Sequence, residues 1–281
     1  MKVSVIIPNY NHAQFLNQRV SSILNQTFKD FELIILDDCS TDNSCEIIEK
    51  IKEESPSIIT IFNDKNSGSP FIQWNRGVRE AKGEYIWIAE SDDYAHESFL
   101  HRAVDTLNNN PNVGFVHCNS NVIDLQNGKQ CTSLEWNCTL DNKKWREDFI
   151  NNGEEEICSS LCIKNTINNV SGVLFRKEAY QNCGYAKETM RYSGDWQLYV
   201  SILSKYSIAY ICDPLNTIRI HSQSTMNRYF KDPRYLKEVT LIYLQILRTN
   251  RLPMKKKMAM LRNLLGLIRN NFKSLLRNSI S

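Results

Sequence analysis

The stretch VSVIIPNYN, residues 3–11, has the form of a buried β-strand that ends at Pro8 and is followed by polar side chains. The same form returns twice within the first hundred residues. FELIILDD, residues 31–38, ends in two aspartates, and EYIWIAESDD, residues 84–93, ends in an acidic cluster. Short apolar runs with polar ends are typical of strands buried on both faces, which predicts a covered sheet.

Helical patterns separate these strands. Apolar side chains recur at helical spacing within 15–26, 42–54 and 70–81, and another strand is predicted at 58–62. This alternation predicts a mostly parallel sheet flanked by helices. The carboxyl ends of parallel strands meet at one edge, so the polar residues that follow them are expected to line a single cleft.

The rest of the chain is less regular. Strands are predicted at 113–118, 171–175 and 208–211, and a helix at 196–204. The Asn-rich stretch 119–168 is interpreted as an insertion that shapes the acceptor side. From residue 236 onward the pattern is helical, which predicts a body of residues 1–225 and a C-terminal helical extension of residues 226–281.

Charge is divided in the same way. The net charge is +3, but residues 226–281 carry 13 Lys and Arg against 2 acidic residues. We consider two interpretations of this basic tail: a helical pair that packs on the body or forms a homodimer, and a peripheral contact with anionic lipid. Nucleic-acid binding is not expected, because no recognised module accompanies the charge.

Nine cysteines without a CxxC pair are typical of reduced thiols. The N-terminal apolar run does not match a signal peptide, and no run of 18 apolar residues is present. We therefore expect a cytoplasmic protein that contacts at most the inner face of the plasma membrane.

The acidic residues after the second and fourth strands are the strongest chemical feature. Asp37 and Asp38 would face Glu90, Asp92 and Asp93 across the cleft. Clustered carboxylates repel one another unless a cation or hydrogen-bond donors compensate them. Mg²⁺ or Mn²⁺ fits such a set, because both ions bind carboxylates together with phosphate oxygens. Helix capping and solvated loop charge are the structural alternative.

Six short segments, in this order and spacing, resemble a family 2 glycosyltransferase of the GT-A fold. They are residues 5–11, 37–42, 66–68, 75–77, 83–86 and 90–93, the last in the place of the DXD metal motif. The resemblance covers about residues 1–225. It implies an α/β, Rossmann-like GT-A sheet and an enzyme that uses a nucleotide-sugar donor.

The resemblance also implies roles for individual residues. Binding of the nucleotide part of the donor is assigned to Pro8, Tyr10, Asp38, Asn75, Arg76 and Glu90. Metal ligation is assigned to Asp92, with Asp93 second, and to His221. Among these segments, Cys39 stands where Gly is usual in the family and Glu90 stands where Asp is usual. His12, His96, His101 and His117 receive no assignment.

The catalytic base is expected at Asp195, in a segment that resembles the acidic motif of the family. That motif usually has Glu before Asp, whereas this chain has Gly194. A helix cap is the structural alternative for Asp195, and a purely structural role is the alternative for His221.

The expected reaction is inverting transfer of a sugar, with UDP as the default nucleotide, to a hydroxyl of a glycan or lipid-linked glycan. Bacterial polysaccharide or lipopolysaccharide synthesis is the setting that the resemblance implies. Two alternatives remain open: a catalytically inactive sugar-nucleotide-binding protein, and a sugar nucleotidyltransferase.

Overall fold

The computed structural model describes residues 1–224, 232–249 and 251–278 of the chain, with side chains as far as Arg269. The strands are β1 Val3–Asn9, β2 Phe31–Asp37, β3 Ile59–Phe62, β4 Tyr85–Ile88, β5 Tyr94–Ala95, β6 Val113–Asp124, β7 Gln130–Thr132, β8 Phe149–Asn151, β9 Val173–Arg176 and β10 Ser207–Ile220. The helices are α1 Ala13–Leu24, α2 Ser44–Glu54, α3 Pro70–Glu80, α4 Phe99–Asn109, α5 Ser133–Cys138, α6 Gly153–Glu156, α7 Lys177–Asn182, α8 Gly194–Leu203, α9 Pro233–Thr249 and α10 Met254–Asn278.

A single mixed sheet organises these elements, in the order β3-β2-β1-β4-β9-β6-β10-β5. The first four strands are parallel, as the β-α alternation predicts. β9 runs antiparallel to both β4 and β6, so the sheet is less uniformly parallel than expected. The α/β prediction is confirmed, with helices on both faces.

Alternating side chains place a core on each face of the sheet. Val5 and Ile35 belong to the cluster beneath α1, α2 and α4, whereas Ile6 and Ile34 belong to the cluster beneath α3, α7 and α8. Gly77 lets α3 lie close to β1, because a Cβ atom there would stand 2.4 Å from Cγ2 of Ile6. This close packing on β1 fixes the position of α3 along the strand, next to the carboxyl ends of the parallel strands.

The region expected to be an insertion contains regular structure. β6 continues to Asp124, and β7, α5 and β8 follow before residue 152. β10 likewise extends well beyond the predicted 208–211 and carries the chain to His221. Isolated polar residues interrupt the apolar runs of both strands, which is why the sequence predicts them too short.

The tail helices pack on the body. Val239, Ile242 and Ile246 of α9 are buried in the core cluster that contains α8, and Met260 of α10 joins them. The division near residue 225 stays a prediction, since body and tail share this core. None of the helices in the described part of the chain has the length and apolarity needed to cross a membrane, and all nine cysteines are free thiols.

Candidate functional site

Asp38 follows β2 and organises the loop after β3. Its Oδ1 accepts hydrogen bonds from Asn63 Nδ2 at 2.7 Å, from the Ser67 backbone N–H at 2.8 Å and from Gln73 Nε2 at 2.8 Å. Oδ2 accepts one bond, from Ser67 Oγ at 2.7 Å. Oδ2 therefore retains a lone pair for a further donor.

The loop after β1 lies beside Asp38. The Asp38 backbone N–H donates to the Asn9 carbonyl at 2.9 Å, and Pro8 is buried within β1. Tyr10 is exposed, and the residue after Asp38, Cys39, has a positive φ of 62°. That backbone conformation suits glycine, so the departure from the family pattern at Cys39 carries local strain. Pro8, Tyr10 and Asp38 thus stand at neighbouring strand ends, as predicted.

Asn75 and Arg76 of α3 have other partners. Asn75 donates to the Ala186 carbonyl at 2.8 Å and to Glu188 at 3.0 Å, and its Oδ1 accepts from Tyr180 at 3.0 Å. Arg76 donates to Asn63 Oδ1. These contacts tie α3 to the 180–188 segment and to the loop held by Asp38, and neither residue lines the cavity described below.

Glu90 and Asp93 are held by protein donors. Trp74 Nε1 donates to Glu90 at 2.7 Å, and burial together with the charge of Asp92 raises the pKa of Glu90 to about 8. Asp93 accepts from Asn169 at 2.9 Å and from Ser171 Oγ at 2.7 Å. Burial raises the pKa of Asp93 to about 6, and these two contacts fix the loop that carries it.

Asp92 meets two histidines. Nε2 of His221 lies 3.1 Å from Asp92 Oδ2, and one ligand atom from each of His12, Asp92 and His221 lies within 4.8 Å of the others. Burial alone would raise the pKa of Asp92, but the His221 hydrogen bond and the closeness of both imidazoles outweigh it and lower the pKa. His12 Nδ1 is 2.8 Å from Ser91 Oγ, an orienting contact typical of metal-ligating imidazoles.

This histidine–aspartate set has the chemistry of a divalent metal site. Burial lowers the pKa of His12, which favours the neutral imidazole that a metal requires. Sequence reasoning did not assign His12, and its position four residues after Pro8, directly after the first strand end, was the signal that could have found it. Two imidazole nitrogens suit a transition-metal ion better than Mg²⁺, because Mg²⁺ prefers oxygen ligands.

Asp195 stands in the first turn of α8 at the wall of a cavity of about 210 Å³. The cavity is also lined by Glu90, Asp92 and Asp93 and by Trp74, so the predicted base and the acidic motif share one pocket. Burial raises the pKa of Asp195 to about 6, and Asn165 donates to its Oδ2 at 3.0 Å. Asp38 is not among the residues that line this cavity.

Phe71 explains the glycine before Asp195. A Cβ atom at Gly194 would lie 2.6 Å from Cε2 of Phe71, whose buried ring packs edge-on against Trp74 at 4.8 Å. The aromatic ring thus fills the space that a longer side chain at residue 194 would need. Phe71 lines the cavity in its place.

Three arginines near the site were given no role on the basis of the sequence. Arg219 Nε donates to the Asp92 carbonyl, and its guanidinium lies 4.4 Å from the centre of the Phe15 ring. Arg191 lines the cavity from the side of Asp195. Arg19 is fully buried, with no hydrogen-bond partner for its guanidinium among the described residues. These arginines lie in distant parts of the chain, so no short sequence motif contains them and only the fold brings them together.

Comparison with known proteins identifies the family. Residues 4–181, more than half of the chain, match the family model "Glycosyl transferase family 2". The chain belongs to this family. The resemblance drawn from the short motifs is thereby confirmed.

Curated relatives match the family 2 chain over part of its length. Poly(ribitol-phosphate) beta-N-acetylglucosaminyltransferase TarP of Staphylococcus aureus is 42% identical over 110 residues, which is 38% of this chain and 32% of TarP. An uncharacterized glycosyltransferase of Rickettsia bellii is 30% identical over 224 residues, 80% of this chain and 29% of that protein. This chain thus spans about a third of the length of both relatives.

Solved structures show the GT-A fold of the family 2 chain. Staphylococcus aureus TarS 1-349, in complex with UDP-GlcNAc, aligns with a TM-score of 0.73 at 20% identity, over 97% of this chain and 73% of that one. The mannosyltransferase PcManGT of Pyrobaculum calidifontis, in complex with GDP-Man and Mn²⁺, aligns with a TM-score of 0.68 at 16% identity, over 100% and 75% of the chains.

Proposed function

We propose that this chain is an inverting glycosyltransferase that moves a sugar from a nucleotide diphosphate, by default UDP, to an acceptor hydroxyl. The observation that carries the proposal is the shared cavity of Asp92 and Asp195 in a family 2 chain. One side of this cavity offers a cation site for a diphosphate, and the other offers a carboxylate with a raised pKa.

The nucleoside is proposed to lie on the strand ends of β1 and β2. Asp38 Oδ2 keeps acceptor capacity for a base N–H, and exposed Tyr10 can cover the base. Asn75 and Arg76 support this part indirectly through the loops that they tie together. Arg191, which lines the cavity, is the better candidate for direct contact with phosphate oxygens.

Asp195 is proposed as the general base. It takes the proton of the acceptor hydroxyl, while the acceptor oxygen bonds to the anomeric carbon and the bond from that carbon to the diphosphate breaks. One base and a single displacement give inversion. Its burial keeps the carboxylate basic enough to accept a proton near neutral pH.

His12, Asp92 and His221 are proposed to hold the divalent cation, with Asp93 fixing the loop that presents Asp92. When bound, the cation would offset the negative charge that develops on the departing diphosphate. Mn²⁺ is the preferred ion on the chemistry of the donor set.

The acceptor is proposed to be a glycan or lipid-linked glycan of a bacterial surface polysaccharide or lipopolysaccharide. The names of TarP and TarS, which describe transferases that act on a poly(ribitol-phosphate), support a surface polymer as the acceptor class.

We also propose a cytoplasmic location with peripheral membrane contact through α10. One face of α10 packs on the body, while a second apolar face is exposed, at Met254, Met258, Leu261, Leu265 and Ile268. Lys255, Arg262 and Arg269 flank this exposed stripe, and residues 251–278 contain no acidic residue. Two copies joined through this face would oppose like charges, whereas anionic lipid would neutralise them, so the membrane is favoured over a dimer.

A donor panel tests the function. The purified chain with Mn²⁺ is incubated with UDP-, GDP- and dTDP-sugars, and release of the nucleoside diphosphate is measured with and without glycan acceptors. Acceptor-dependent release supports transfer. Binding without release for every donor would favour an inactive binding protein, and pyrophosphate formation from a nucleoside triphosphate and a sugar phosphate would favour a nucleotidyltransferase.

A further inference from the structure

Glu238 connects the C-terminal tail to the site through three consecutive backbone groups. Its carboxylate accepts hydrogen bonds from the backbone N–H groups of Arg191 at 2.7 Å, Tyr192 at 2.9 Å and Ser193 at 2.8 Å. Glu238 lies on α9 and is 5% exposed. A single buried carboxylate thus fixes the path of the chain just before α8.

The segment that Glu238 holds delivers side chains to the cavity. Arg191 and Tyr192 both line it, and Asp195 follows Ser193 by two residues. Arg191 also donates to the Gly68 carbonyl, in the loop whose Ser67 contacts Asp38. The 191–193 segment therefore joins the base side of the cavity to the nucleotide side.

A second contact fixes the same segment from the residue that precedes α9. The hydroxyl of Tyr192 donates to Asp232 at 2.7 Å, and Asp232 in turn accepts from Arg234 at 2.6 Å. Charge-assisted hydrogen bonds of this kind are about twice as strong as neutral ones. Loss of the Glu238 charge would leave backbone N–H groups without a matched acceptor in a buried position.

We infer that Glu238 is a positioning residue of the active site, so that α9 sets the placement of Asp195 and of the cavity wall formed by Arg191 and Tyr192. This inference rests on the proposed function. It assigns the tail helix a part in turnover, in addition to its share of the core.

The test compares Glu238→Gln with Gln245→Ala. Gln245 is the matched control, because it also links α9 to α8, through Gln197 and Ser201, without contact to residues 191–193. Gln at 238 keeps one acceptor but directs an amide N–H₂ group at backbone donors. We expect Glu238→Gln to lower kcat by at least about tenfold, since small misplacement of reacting groups has effects of this size. We expect its Kd for UDP with Mn²⁺ to rise by a smaller factor than kcat falls, because only the Arg191 contact of the proposed nucleotide site lies on this segment.

Gln245→Ala should lower the melting temperature but leave kcat within about twofold below that temperature. Glu238→Asp keeps the charge on a shorter side chain and should recover part of kcat. If Glu238→Gln does not fold, Glu238→Asp takes its place in the comparison. Equal kcat in the Glu238 variants and Gln245→Ala, or a fall in kcat that tracks melting temperature across all of them, would overturn the inference. An inactive wild type would instead contradict the proposed function, and the inference with it.

Discussion

Nε2 of His221 lies 3.1 Å from Oδ2 of Asp92, and the imidazole of His12 completes a group of three ligand atoms within 4.8 Å. A carboxylate and two imidazoles converge here from the segments that follow β1, β4 and β10. The arrangement brings together residues that the sequence predicted separately with one that it did not assign.

The first prediction concerns metal binding. We expect His12→Ala, Asp92→Asn and His221→Ala each to weaken Mn²⁺ binding by at least about tenfold, because each removes one ligand. Titration calorimetry without donor measures this directly. His96→Ala, on the surface near α4, is the control and should bind as wild type. An unchanged Mn²⁺ affinity in His12→Ala would remove His12 from the site.

The second prediction concerns Arg19. Its guanidinium lies 5.0 Å from the centre of the Trp87 ring, and burial lowers its pKa to about 10. The charge of Arg19 favours the ionised forms of Glu90 and Asp93. Arg19→Met should therefore lower the melting temperature of the metal-free protein and increase the stabilisation that Mn²⁺ brings. Thermal denaturation with and without Mn²⁺, beside the surface control Arg102→Met, checks this; equal Mn²⁺ shifts would contradict it.

The third prediction concerns pH. Because the pKa of Asp195 is raised to about 6 and a base must be deprotonated, kcat/KM should fall about tenfold per unit below pH 6. Asp195→Asn should lose about 10²–10⁴-fold in kcat and this acidic limb, while UDP binding persists. Near-normal kcat in Asp195→Asn would show that another group is the base.

The stability of the fold should change with pH in the opposite direction to the catalytic activity. A carboxylate with a raised folded-state pKa stabilises the fold below its unfolded pKa, and that stability is lost as pH rises through about 6. Asp195→Asn should thus melt above wild type at pH 7, with the difference shrinking towards pH 4. Asp105→Asn, on the exposed face of α4, is the matched control and should show no such gain.

The fourth prediction concerns Gly194. Because Phe71 occupies the space beside its Cα atom, Gly194→Ala should destabilise the fold by about 1–3 kcal/mol. Phe71→Ala should relieve this clash, so a double-mutant cycle of chemical denaturation should show strong coupling. Additive effects of the two changes would contradict the steric explanation.

The fifth prediction concerns the exposed stripe of α10. Leu261→Glu with Leu265→Glu should abolish sedimentation with vesicles that contain anionic lipid, while the melting temperature stays near that of wild type, since both side chains are about half exposed. Leu125→Glu, an equally exposed leucine at the end of β6, is the control. Loss of a dimer rather than of lipid binding, seen by light scattering, would favour the alternative interpretation of the tail.

The sequence predicted the parts of the site that lie in short segments. Asp38 and Asp92 closely follow apolar strands. The apolar pattern of the sequence was therefore sufficient to predict that both side chains lie at the carboxyl ends of strands. Arg19 and Arg191 were missed because their importance arises from packing between distant segments, whereas His12 was missed although it closely follows the first strand end. Asn75 and Arg76 were assigned by motif, and only the fold shows that α3 turns them towards residues 186–188 and 63. The strand at 171–175 was predicted, but its antiparallel direction as β9 was not, because a short apolar run does not encode the direction of a strand.

Within the cluster of His12, Asp92 and His221, the last two residues are 129 positions apart in the chain and follow β4 and β10, strands that are separated in the sheet by β9 and β6. An ion bound there would link the two halves of the sheet, and its loss would remove that link. Under the proposed function, we therefore expect the departure of the nucleoside diphosphate together with its ion to loosen both halves of the sheet at the same time as the product is released.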